Sequence, residues 1–198
     1  MVRRSRFWPV PIWMFAILVQ PLAAQDFKFG LTEFDVKRLR EQPGTLAQAL
    51  EEAKAHTNAQ ELRALQTLMA AAPTPIADAR DLAGKWRCRV MKFGGDLLPL
   101  VVYGFFECRI DGSGREAKFE KTTGSQRSAG DLIRLDDKAF VFRGVGYTDY
   151  TPRKPYGDGP ESDQVGLVRR LDPNRLRIEL PAPHYESRYD VVELVRRK

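Results

Sequence analysis

At Gly84 the sequence changes its period, and that change restricts the fold more than any other feature. Beyond it, apolar and polar residues alternate in short runs, the mark of strands with one buried face. Eight strands are expected: Lys85–Lys92, Leu100–Ile110, Arg115–Lys121, Asp131–Leu135, Lys138–Tyr147, Gln164–Leu171, Arg175–Leu180 and Tyr189–Arg196. Asp111-Gly112-Ser113-Gly114, Asp136-Asp137 and Asp172-Pro173-Asn174 between them carry tight-turn chemistry. Short strands joined by tight turns, with no helical stretch between them, imply an antiparallel meander, and eight such strands can close into a small barrel.

Upstream the pattern is helical. Thr32 with Asp35, Thr45 with Gln48, and Asn58 with Glu61 each set a capping side chain three residues before a partner. Pro43-Gly44 is expected to separate a short first helix from a helical hairpin, and Ala72-Pro73-Thr74-Pro75 to end the unit. The fold class expected is α+β, mainly β: an N-terminal helical hairpin packed on an eight-stranded antiparallel up-and-down, lipocalin-like barrel. The domain reading is 25–72 for the helical head, 73–84 for a linker and 85–198 for the barrel.

Residues 1–24 read as a secretory signal peptide. Arg3, Arg4 and Arg6 precede the apolar run Phe7 to Val19, and Ala23-Ala24 offers a small-residue exit. That run falls short of the roughly 20 residues that span a bilayer; the alternative is an uncleaved anchor helix. The expected location is the periplasm, with no membrane span after cleavage and a monomeric mature protein. With the three leading arginines set aside the net charge is +3, and the remaining bases alternate with acids. A nucleic-acid partner is therefore not expected, since it asks for a clustered basic face.

Cys88 and Cys108 in an exported chain suggest a disulfide, two free thiols being the alternative. Setting them opposite each other places Trp86 against Ile110 and Val90 against Phe106, with Arg89 meeting Glu107 outside. The Gly112-Ser113 turn sets Phe106 against Phe119 and Glu107 against Lys118. Trp86, Phe106, Phe119, Phe140 and Phe142 fall on inward positions, where bulky rings fill a small barrel. Val101, Tyr103 and Phe105 then point outward from a strand apolar on both sides. A helical head is the available cover, with Leu62, Leu65 and Met69 among the covering residues.

A meander alternates its connections between two ends. Phe93–Pro99, Thr122–Gly130, Thr148–Asp163 and Pro181–Arg188 are the longer ones, so a site is expected at their end. The candidate ligand-binding residues there are Lys92, Lys121, Thr123, Ser125, Gln126 and Arg127, with Tyr156 as a lid. They suit an anionic or polar group, Arg127 through its planar fork. Against this stands a solvated rim whose bases satisfy loop carbonyls and keep the end from aggregating. A hydrolase using Ser125 with His184 and Asp158 or Glu186 is the alternative of a different class, without nucleophile-elbow glycines around Ser125. Asp158, Glu161 and Asp163 lack calcium-loop spacing, so no metal and no cofactor are expected.

Arg87-Cys88-Arg89 with Lys92, Phe106-Glu107-Cys108-Arg109, Lys121-Thr122-Thr123-Gly124-Ser125-Gln126-Arg127 and Asp190-Val191-Val192-Glu193-Leu194 resemble an uncharacterised family. That resemblance covers most of the mature chain and implies an exported Gram-negative bacterial protein with a domain of unknown function. It supplies no activity. Gly84-Lys85-Trp86 is similar to the opening Gly-x-Trp of lipocalin-like barrels and to small periplasmic barrel inhibitors of metalloproteases, which lack such a head. The expected role is non-catalytic binding of a small polar or anionic ligand, or of a protein partner, at the open end. A periplasmic protease inhibitor is the alternative within binding.

Overall fold

The computed structural model describes residues 29–95 and 99–197. The signal peptide expected at 1–24 lies outside them. Helix α1 (Glu33–Ala53) and helix α2 (Ala59–Ala70) precede a 3-10 turn at Ala79–Asp81. Nine strands follow: β1 (Gly84–Phe93), β2 (Leu100–Val102), β3 (Phe106–Ser113), β4 (Glu116–Lys121), β5 (Gln126–Arg134), β6 (Ala139–Thr148), β7 (Asp163–Asp172), β8 (Arg175–Pro181) and β9 (Tyr189–Arg196). β2 and β3 both pair antiparallel with β1, each strand from β3 to β8 pairs antiparallel with the next, and β1 pairs with β9 from Trp86↔Arg196 to Phe93↔Tyr189, which closes the ring. The result is an eight-stranded up-and-down barrel plus the extra strand β2, with the helices ahead of it.

Two expected registers are shifted by even steps. Trp86 pairs with Cys108 and Cys88 with Phe106, two residues from the expected alignment. Ile110 pairs with Phe119 and Asp111 with Lys118, four residues away. The hairpin turns at Gly114 (φ 68°), which adopts the left-handed backbone in place of Gly112. Gly112 instead lies flat against Ala117, where an added Cβ would sit 2.4 Å from Ala117 Cα. An even shift leaves every side chain on its own face. Trp86, Phe119, Phe140 and Phe142 therefore still fill the interior, with Phe106 packed against them. The cysteines, now diagonal neighbours, still form the disulfide at a Cα–Cα distance of 5.8 Å. Closing a loop of 20 residues stabilises the fold by about 3 kcal/mol on the chain-entropy estimate.

The doubly apolar strand is resolved by a bulge. Arg89 and Val90 on β1 stand opposite three residues, Tyr103, Gly104 and Phe105, because Met91 pairs with Val102 while Cys88 pairs with Phe106. One extra residue exchanges the faces of everything on its far side. Val102, expected inside, is outside with Leu100, and Val101 turns inward. Phe105 lies outside between the Arg87 and Arg89 guanidinium groups, 4.6 and 5.0 Å from its ring centre. Val101, Tyr103 and Phe105 are thus not the strip that the head covers.

The head does cover the barrel, elsewhere on its surface. Leu65 and Leu68, with Leu62 and Met69 beside them, pack on the outward side chains Met91, Phe93, Leu100, Tyr189 and Val191. Phe29 continues the cover onto Val141 and Val165. The break expected at Pro43-Gly44 does not occur, because α1 runs straight through both. Pro43 faces solvent while Asp35, Arg38, Gln42, Ala49 and Ala53 form one buried stripe at steps of three to seven residues. Packing along that stripe outweighs the roughly 3 kcal/mol that an interior proline costs. Thr45, expected as a cap, donates its hydroxyl to Glu41 O. Thr32 and Asn58 cap as expected.

The polar part of the stripe meets a polar patch on β8. Gln42 Nε2 donates to Glu179 Oε2 (2.7 Å) and Tyr189 Oη (2.8 Å). Arg177 Nε donates to Glu179 Oε1 (2.6 Å), and its Nη1 caps the end of α2 through Leu68 O, Met69 O and Ala71 O. The segment read as a linker floors the barrel: Ile76, Ala79 and Leu82 join the interior cluster, and Trp86 Nε1 donates to Leu82 O.

Arg177→Met is expected to cost about 3–5 kcal/mol, because it uncaps α2 and leaves the buried Glu179 carboxylate without its cation. Arg177→Met with Glu179→Met is expected to recover most of that loss. Urea unfolding of the two variants beside the parent measures both; equal destabilisation by single and double changes would refute the network's role.

Candidate functional site

Large rings fill the barrel toward its floor, and the space they leave lies at the end expected to be open. A cavity of about 220 Å³ enters the barrel there. Its floor is apolar, made by Val90, Phe106, Phe119, Leu180 and Val192, and Tyr103 stands at one side. Lys92, Lys121, Ser125, Gln126 and Arg127, all expected at the site, line it together with Ser128, Gln164 and Asp190. Above it, an outer chamber of about 500 Å³ opens between the connections after β6 and β8. Lys92, Gln126, Arg127, Gln164 and Asp190 belong to both spaces, so the two adjoin.

On one wall Lys92 and Asp190 are register partners on β1 and β9 with inward side chains. Lys92 Nζ lies 3.0 Å from Asp190 Oδ2 and 3.2 Å from Glu186 Oε2. Burial opposes the Lys92 charge, yet the two carboxylates outweigh it and hold the ammonium above its ordinary pKa. Asp190 is itself pushed up by burial and accepts from Ser187 Oγ (2.5 Å). Glu186 reaches Lys92 from a loop with two non-glycine residues in the left-handed region, Ala182 (φ 44°) and Glu186 (φ 73°). Such backbone is costly and persists where its surroundings enforce it.

On the facing wall, the connection expected over Thr122–Gly130 is only four residues long, 122–125, because β5 starts at Gln126. Arg127 holds this turn with Nε to Gly124 O (3.0 Å) and Nη1 to Thr122 O, and Nη2 lies 2.8 Å from Asp149 Oδ1. Lys121 Nζ donates to Thr123 O (3.0 Å) and Gln126 O and sits 3.9 Å from the centre of the Phe106 ring. Burial, then the Arg127 charge, lowers its pKa. Both cations thus satisfy the loop carbonyls, Lys121 from the inward face and Arg127 from the outward face of the sheet.

Thr123 and Tyr156 stand outside the cavity. Thr123 Oγ1 accepts from Glu107 N (2.8 Å). Tyr156 donates to Asp35 Oδ2 (2.5 Å) and accepts from Thr32 N (3.2 Å). It anchors its loop to α1, and burial, then Asp35, raises its pKa. Among the described residues no hydrogen bond joins Ser125 to His184, whose ring packs edge-on against Tyr185.

Sequence reasoning missed Asp190, Ser128 and Gln164. Asp190 sits among apolar strand residues, and only the ring closure that brings β9 beside β1 reveals its pairing with Lys92. It also missed the hold of α1 on the mouth. Arg38 donates to Pro181 O (3.0 Å) and Asp163 O (3.2 Å). Glu52 accepts from Gly95 N (2.8 Å) and from Arg188 Nε (2.9 Å).

The model of a family described as a domain of unknown function (DUF4893) matches residues 28–194. The chain belongs to this family. Its match takes in the helical head, the barrel and both walls of the cavity, and its description carries no activity. No curated protein matches the sequence. A solved structure titled "Structure of a redesigned beta barrel" is similar over 61% of this chain and 95% of its own, at 10% identity and a TM-score of 0.41.

Two measurements test the walls. Arg127→Ala is expected to lower stability by about 0.5–1.5 kcal/mol, since half-buried loop carbonyls lose their donor; an unchanged melting temperature would deny it that structural role. The Lys92 pair contributes fully below the ordinary lysine pKa of 10.5 and is lost as pH rises through the higher folded-state value. The stability gap between parent and Lys92→Met is thus expected to be flat through neutral pH and to narrow in alkali. A gap that widens there would overturn the assignment.

Proposed function

We propose that the protein is an exported, periplasmic, non-catalytic binding protein that takes a small ligand at the open end of its barrel. The ligand's apolar part rests on the Val90–Phe106–Phe119 floor and its polar or anionic part meets the rim. The observation that carries this reading is the cavity itself: a space left at one end of a barrel packed with rings elsewhere, with apolar walls below and convergent charged groups above. Concave, mostly apolar sites with a few placed polar groups are where small molecules bind. The disulfide supports export, because such bonds persist in oxidising compartments, as does the leader composition of residues 1–24.

Val90 lines the cavity and is only partly buried, so Val90→Trp fills the space from its wall. Parent and variant are to be recovered from the periplasm of a Gram-negative host and compared by native mass spectrometry. The expected parent is cleaved near Gln25 and carries a small molecule, and the folded variant has lost it. A variant that keeps the same compound at the same occupancy, or a parent found only in the cytoplasm, would overturn the reading.

A further inference from the structure

The mouth of the cavity has two poles of opposite charge. On the β1–β9 wall, one ammonium (Lys92) faces two carboxylates (Asp190 and Glu186), which leaves one negative charge in excess. On the β4 wall, the inward Lys121 is held by loop carbonyls and the Phe106 ring and forms no ion pair among the described residues, while Arg127 is paired with Asp149, which leaves one positive charge in excess. Asp190 on β9 and Lys121 on β4 are three strands apart round the ring of eight. The poles therefore stand on separate walls of the opening, above the apolar floor. Lys154 pairs with Glu161 (3.3 Å) and Arg38 with Asp35 (2.9 Å), and both oxygens of Asp163 accept from Gly157 N.

Resting on the binding reading above, we propose that the mouth recognises a short zwitterionic peptide of dipeptide size. Its ammonium is set toward Asp190 and Glu186, its carboxylate toward Lys121, and an apolar side chain lies on the floor. A single amino acid carries its charges on one carbon, whereas two extended residues span roughly 7 Å, which suits charges held on separate walls. Complementary charge at both ends fixes orientation and rejects molecules that carry only one of the two.

The probe is phenylalanyl-leucine, titrated calorimetrically into the mature protein, with its N-acetyl and C-amide forms as single-charge analogues. Removing either terminal charge is expected to weaken binding about tenfold or more, the worth of one hydrogen bond to a charged group. Glu186→Gln is expected to weaken the free dipeptide and the amide and to leave the N-acetyl form unchanged. An N-acetyl form that binds as tightly as the parent would overturn the ammonium pole, and an equally tight amide the carboxylate pole. If no peptide binds while the periplasmic protein still carries a Val90-sensitive compound, the zwitterion inference is wrong and the binding reading stands. If neither is seen, both are wrong.

Discussion

Closure of the sheet by the β1–β9 ladder is the constraint on which the rest of the structure depends. Once Phe93 pairs with Tyr189 and Trp86 with Arg196, every strand residue is assigned to an inside or an outside. The inside then has a fixed capacity. Large rings take up the lower part, and the 76–82 segment seals it from below, held by Trp86 Nε1 on Leu82 O. Space is left at the top, and the same ladder sets Lys92 beside Asp190 there. Closure also pairs β1 with β9, so neither is left as a free edge of the kind that invites edge-to-edge association.

The helical head follows from the outer face of the same ladder. Met91, Phe93, Tyr189 and Val191 point outward, and a closed barrel cannot bury them by itself. α1 and α2 cover them, and the cover brings polar groups with it. Three connections at the open end are tied to α1: Gly95 and Arg188 through Glu52, Tyr156 through Asp35, and Pro181 through Arg38. The head is thereby part of the frame of the mouth. Loops that would be mobile on a bare barrel are fixed by charge-assisted hydrogen bonds to one rigid element.

Much of this was legible from residues. Period-two alternation gave the strands, and the even register errors did no harm because side-chain direction repeats every two residues. Lys92, Lys121, Ser125, Gln126 and Arg127 were placed at the cavity by the alternation of short and long connections alone. Tyr156 was misjudged because its partner, Asp35, lies 121 residues away, and no local pattern encodes such a pair. Val101 and Val102 exchanged faces because a one-residue bulge at Tyr103–Phe105 has no distinctive signature beyond Gly104. The continuous α1 was missed because its buried stripe includes Asp35, Arg38 and Gln42, which read as solvent-facing until the β8 patch that receives them is known.

The sequence by itself determined what is periodic and local: helices then strands, the caps at Thr32 and Asn58, the inward rings and the end that carries the long connections. These follow from backbone geometry and from the cost of leaving apolar faces in water. Tertiary structure alone decided the rest: which charges share a pole, which lysines brace loops, and what the head covers. Those outcomes depend on the ring closing and on residues far apart in the chain becoming neighbours in a medium where an unpaired charge is costly.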